Sequence, residues 1–213
     1  MKGSRKSSPT PISGVIFIVG FLAAMFIAGD PPDVDAPPQE LVDFYSDKSG
    51  QLFASAVIQA WAAVLLVVFA VSVRLRLDAI QGGLGWPGAL TMAGGVVTAA
   101  GTLVDSIVRG ALGQAGDDAK AQVVQTLHYV SDFTFFPLAG GIALLMFGLG
   151  SGILRTAYLP RPVGYVAVAG GVLSLSPLFF IGLPIAALTV LATSIVLAKR
   201  PEAPATAGTP PGG

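Results

Sequence analysis

From Pro162 to Ala198 the chain carries not one charged side chain. A bilayer core of about 30 Å takes roughly 20 apolar residues as a helix, so this run is too long for one crossing. It divides at Ser176-Pro177, because proline cannot donate a backbone hydrogen bond and disfavours helix in the residue before it. Four further apolar runs precede it: Ile12 to Gly29, Leu52 to Val73, Trp86 to Val104 and Phe133 to Leu154. The sequence therefore predicts an all-α membrane protein with a bundle of six transmembrane helices. The fifth, Val163 to Ser176, is the shortest, about 21 Å at the helical rise. Barrel strands are excluded, since nothing in these runs alternates with period two.

Composition agrees. Hydrophobic types make up 53% of the 213 residues and charged types 11%, with a mean hydropathy of +0.75, where a soluble domain carries about 25% charge. That speaks against an ordinary soluble enzyme and a disordered chain, and the formal net charge of +0 without an interior basic cluster speaks against nucleic acid as a partner. With no Cys and a single His, at position 128, disulfides, iron–sulfur clusters, thiolate zinc sites and HExxH chemistry are absent, so no metal and no cofactor is expected. Asn does not occur; beside abundant Ala, Gly, Val and Pro this points to a GC-rich coding bias and a bacterium.

Lys and Arg in the short connections set the threading. With the N-terminus inside, nine basic residues lie on the cytoplasmic side and three (Lys48, Arg109 and Lys120) outside. Both termini are thus expected in the cytoplasm of a multi-pass protein of the bacterial cell membrane, with the lipid bilayer as its solvent. The organisation expected is a flexible basic lead over 1–11, a transmembrane domain over 12–198 and a disordered tail over 199–213. The first run could also serve as a signal peptide, but Phe26 and Ile27 occupy the −3 position of the available cleavage sites, which favours a retained anchor.

The outer segment 30–51 carries Asp30, Asp33, Asp35, Glu40, Asp43 and Asp47. Its proline pairs stiffen it, and Gln39 to Tyr45 reads as a short helix with Pro in its first turn. Leu41, Val42, Phe44 and Tyr45 could anchor it at the interface, but a solvated acidic loop is the favoured expectation.

Ionisable side chains within a membrane are costly, so each is a functional candidate. Gln59, Asp105, His128 and Asp132 all fall in the outer half or at the outer rim. Gly94, Thr98, Gly101 and Asp105 follow steps of four, three and four, which aligns them on one helix face. Gln125, His128 and Asp132 share a face by the same rule. Asp105 and Arg109 are i,i+4 partners, so part of this set is explicable as a surface ion pair. The sharper expectation is a proton or cation site, since a His beside a carboxylate is suited to take up a proton near neutrality. Ser55, Ser131 and Ser174 lack a nucleophile-turn motif around them, and the chain is not expected to be an enzyme. Gly94, Gly101, Gly148 and Gly152 are expected to pack helices, as small residues let backbones approach, and to supply the contacts of a homo-oligomer if one forms.

The outer Asp43-Phe44-Tyr45-Ser46-Asp47, the Val73-Arg74-Leu75-Arg76 that closes the second span and Leu159-Pro160-Arg161-Pro162 before the fifth helix resemble a broad group of uncharacterised actinobacterial multi-span membrane proteins. The resemblance implies source and topology and no activity. The function expected is an interaction or assembly role in the envelope with a protein partner; the alternative is a small proton- or cation-coupled carrier or channel using Asp105, His128 and Asp132.

Overall fold

The computed structural model describes residues 12–33, 35–118 and 121–199, with 117 and 118 described by backbone alone. The lead 1–11 and all of the tail except Lys199 lie outside the described residues. Eight helices, and no strand, occur among those described: α1 Ser13–Ala28, α2 Pro38–Asp47, α3 Ser49–Gln81, α4 Trp86–Asp118, α5 Ala121–Phe133, α6 Phe135–Thr156, α7 Arg161–Ser174 and α8 Phe179–Lys199.

Each boundary has a local cause. Gly29 takes a left-handed backbone (φ 68°) and ends α1 ahead of Pro31-Pro32; Gly82 (φ 74°) does the same for α3. Proline opens α2 at Pro38 and α7 at Pro162, where the missing N–H is no loss. The charge-free run breaks between Ser174 and Phe179, where Ser176 Oγ donates to the Leu173 carbonyl and accepts from the Leu178 amide. Between α5 and α6 the chain barely pauses. Thr134 keeps helical angles, its amide bonds back to Ser131, and Pro137 sits in the first turn of α6.

Four segments are long and apolar enough to cross a membrane: α3, α4, α5 joined to α6, and α8. The expected six are not reached by this measure, because α1 stops at 16 residues and α7 at 14, cut by the glycine and proline signals just described. All six helices of the series nevertheless alternate in direction. They form a ring in the order α1, α3, α4, α6, α7, α8, with α8 returning to α1. Gly14 of α1 lies against Ser194 of α8 and Phe69 of α3, so the start of α1 and the end of α8 share one end of the bundle, here the far end. The outer surface of the ring is apolar, with Phe26, Trp61, Ile107, Tyr165, Phe180 and Leu188 all more than 60% exposed. A water-facing monomer does not carry such a belt.

The opposite end is capped. The expectation of a solvated acidic loop is overturned here: α2 lies across the end of α4 and against α5, and Leu41 and Tyr45 are buried with Leu52, Leu112 and Val124 in a second core. These side chains anchor the helix to protein rather than to an interface. The apolar run expected from Phe133 is carried by α6 from Phe135, and α5 leads into it as part of one long segment while its buried side chains join the cap.

The tightest packing joins α4 to α6. Gly94 meets the backbone at Leu145, Gly101 meets Leu138, Thr98 meets Gly141 and Thr91 meets Gly148, in one antiparallel register. Gly152 takes the Leu77 side chain. The glycines expected to serve a dimer therefore pack within the chain, because their partners are the helices beside them. Each hydroxyl along the α4 face, of Thr91, Thr98 and Thr102, donates to its own helix four residues back, so these three need no partner across the gap.

A Cβ at Gly148 would overlap the Thr91 backbone, whereas at Gly140 it would meet nothing within 4 Å. Gly148→Ala should destabilise the protein by about 1–3 kcal/mol through overpacking, while Gly140→Ala should stabilise it by about 0.5–1 kcal/mol through helix propensity. Thermal unfolding of the two variants in detergent, side by side, checks both signs.

Candidate functional site

The α4–α6 register ends on a polar pair. Where Thr91, Gly94, Thr98 and Gly101 meet their partners, the next rung is Asp105 against Thr134, whose hydroxyl donates to Asp105 Oδ1 at 2.8 Å. On Oδ2 the same carboxylate accepts from Gln59 Nε2 at 2.7 Å and from Arg109 Nε at 2.8 Å. α3, α4 and the α5–α6 junction thus converge on one carboxylate. Gln59 is 3% exposed, and a buried amide of this kind costs about 1–3 kcal/mol if left unpaired. Its Oε1 has no partner among the described residues.

His128 is drawn elsewhere. It is buried on α5, facing the cap core, and its Nδ1 shares a hydrogen bond of 2.7 Å with the Tyr45 hydroxyl of α2. The two rings lie 5.8 Å apart, and Nε2 is unpartnered. Burial pushes the Tyr45 phenol up to about 12; Arg109 pulls it down and Asp132 pushes it further up.

Asp132 is exposed. It lines a cleft of about 210 Å³ at the base of the cap together with Asp30, Tyr45, Asp105, Arg109 and Ser131. A second cavity, of about 370 Å³, lies among α1, α6 and α8 and is apolar except for Thr98. Among the described residues no group of three His or acidic side chains could hold a metal ion.

The candidates from sequence therefore separate into three places. Gln59 and Asp105 meet directly; Asp132 shares the cleft with Asp105; His128 belongs to the cap core with Tyr45. Gln125, His128 and Asp132, predicted on one face, diverge in environment, with only His128 buried. Ser55, Ser131 and Ser174 each donate to a backbone carbonyl, of Ala24, His128 and Gly170 respectively. Sequence reading missed Thr134 and Tyr45. The first was within reach, because Gly141 and Gly148 mark a small-residue face on α6, and setting it against that of α4 brings Thr134 opposite Asp105. Tyr45 had no such signal, standing 83 residues from its histidine.

Comparison with protein-family models, with curated proteins and with solved structures gives no match to this chain.

Asp105→Ala strips Gln59 and Arg109 of their acceptor, while Thr134 keeps the Ser131 carbonyl; it should cost about 3 kcal/mol, with Thr134→Val costing about 1 kcal/mol, and thermal unfolding measures both. Because the phenol of Tyr45 ionises less readily folded than unfolded, its contribution is complete below pH 10 and is lost as pH rises towards 12. In an absorbance titration at the phenolate band, Tyr45→Phe should delete a transition centred near pH 12.

Proposed function

We propose that this is a multi-pass protein of the bacterial cytoplasmic membrane, threaded six times with both termini in the cytoplasm. We propose further that it is not an enzyme and acts in the envelope as an interaction or assembly protein through its cap. The observation that carries this reading is the folded acidic face of α2. Leu41 and Tyr45 are locked beneath it, while Glu40, Asp43 and Asp47 stand exposed on the side away from the bundle. A rigid surface of one charge sign favours a partner with a basic patch and steers its approach. The six-fold threading is supported by the alternation of the helices and by exposed apolar side chains on the two short ones, such as Val19 on α1 and Val172 on α7. Basic residues at the far end (Arg74, Arg76, Arg155, Arg161 and Lys199) support a cytoplasmic position for it. The likeness to actinobacterial multi-span proteins favours the same source.

The proton- or cation-coupled carrier is the second reading, favoured by the open carboxylate of Asp132 in the cleft. It fares less well, because Asp105 already has three donors and the cavity at mid-bundle is apolar. Its mark would be a pH-dependent flux abolished by Asp132→Asn.

A chain without Cys suits single-cysteine mapping. A Cβ at Gly50 or Gly83, at opposite ends of α3, meets nothing within 4 Å. An impermeant maleimide should label Gly50→Cys in intact cells and Gly83→Cys only after permeabilisation. A photo-cross-linking side chain at Asp43 should then give a discrete protein adduct that Glu40→Lys with Asp47→Lys abolishes. Reversed labelling overturns the threading; no adduct, or one indifferent to charge reversal, overturns the interaction role.

A further inference from the structure

The polar cleft and the apolar cavity follow one another along the same helices, with no lining residue in common. On α1 the lining passes from Leu22 to Met25, on α4 from Thr98 to Asp105, and from Leu138 on α6 to Ser131 on α5. Leu22 and Met25 are three residues apart, about 4.5 Å along the helix. A head-group-sized polar space thus adjoins a hydrocarbon space, at the end of the bundle where the bilayer surface falls on the reading above.

We propose that the two together bind one outer-leaflet phospholipid with an amine-bearing zwitterionic head group, its head in the Arg109–Asp132 cleft and an acyl chain in the slot between α1 and α8. The charges select the head. Arg109 gives its Nε to Asp105 but remains 30% exposed, so the outer edge of its guanidinium is open to a phosphate, the geometry for which Arg is suited. Asp105 and Arg109 neutralise each other, the Lys48 ammonium lies against Gly29 beside Asp30, and Asp132 leaves the cleft negative. A purely anionic head is therefore disfavoured, while an ammonium beside the phosphate finds a partner.

The slot selects the tail. Its one hydroxyl, on Thr98, is spent on the Gly94 carbonyl, so water entering would find no partner and a methylene chain loses nothing. Pro184 of α8 lines it without presenting an N–H. α1 and α8 touch at the far end, where Gly14 meets Ser194. Higher up the seam, Leu22 and Leu188 are 44% and 66% exposed, which leaves the slot open sideways to lipid.

This inference rests on the outward placement of the cap but uses no part of the α2 acidic face. The full chain, purified in a mild detergent, is supplied with phosphatidylethanolamine or phosphatidylglycerol of identical acyl chains, and native mass spectrometry counts the lipid retained. One phosphatidylethanolamine per chain should survive, with about tenfold preference over phosphatidylglycerol, the worth of a charge-assisted bond. Asp132→Asn, at an exposed position, should abolish that preference. Leu188→Trp, on the lipid-facing rim, should lower retention of both lipids alike. Equal retention of the two by the wild type, a preference that Asp132→Asn leaves intact, or retention indifferent to Leu188→Trp overturns the proposal. If lipid selectivity fails while the Asp43 adduct persists, only the lipid site falls; if the adduct fails while selectivity persists, only the protein partner does.

Discussion

Close approach of α4 and α6 is the constraint on which the rest of the molecule depends. In an apolar solvent no hydrophobic force pushes helices together, so attraction must come from backbone contact and from the few polar groups that can be satisfied between them. Thr91, Gly94, Thr98 and Gly101 allow that contact on one side, with Gly141 and Gly148 on the other. The threonines add hydroxyls that return to their own helices instead of demanding partners across the gap. Where the small side chains run out, Asp105 receives Thr134, and the seam passes from packing to hydrogen bonding. Register and network are linked, since a slip of either helix would part the carboxylate from Thr134.

The cap follows from the same arrangement. α4 runs on for three turns past Asp105, and those turns carry Leu112 and Gly116, against which α2 folds. Residues of α5 and α2 then complete a small core, beside which His128 bonds Tyr45. Such a core is small by the standard of independent domains, so its order relies on the rod beneath it.

How much of this was legible in the sequence divides along physical lines. Long apolar runs announced α3, α4, α6 and α8, because one-dimensional hydropathy is all that lipid solvation requires. The i,i+4 spacing of Asp105 and Arg109 announced their ion pair, and the face of Gly94, Thr98, Gly101 and Asp105 was readable by periodicity. What periodicity could not supply was the identity of the opposing surface: smallness shows that something approaches, not whether it belongs to the same chain. α2 was readable as a short helix over Gln39 to Tyr45, but the docking of α2 and α5 was hidden for a different reason. Each buries only two residues, Leu41 with Tyr45 and Val124 with His128, too few to show that either packs against protein. The shortness of α1 and α7, in contrast, was written in Gly29 and in the prolines around positions 160–177.

α3 and α4 are each 33 residues, about 50 Å of uninterrupted helix, well beyond the thickness of a hydrocarbon layer. At the far end the turn between them is tied by Arg74 to Asp78 and by the Asp78 carboxylate to the Gly85 amide, and Arg155 lies over the Trp86 ring. A stiff pair clamped at its base behaves as a lever: a tilt imposed where α2 rests reaches the basic surface at the far end of the bundle. Mechanical continuity between the two faces is therefore a property of the scaffold itself, whatever occupies either end.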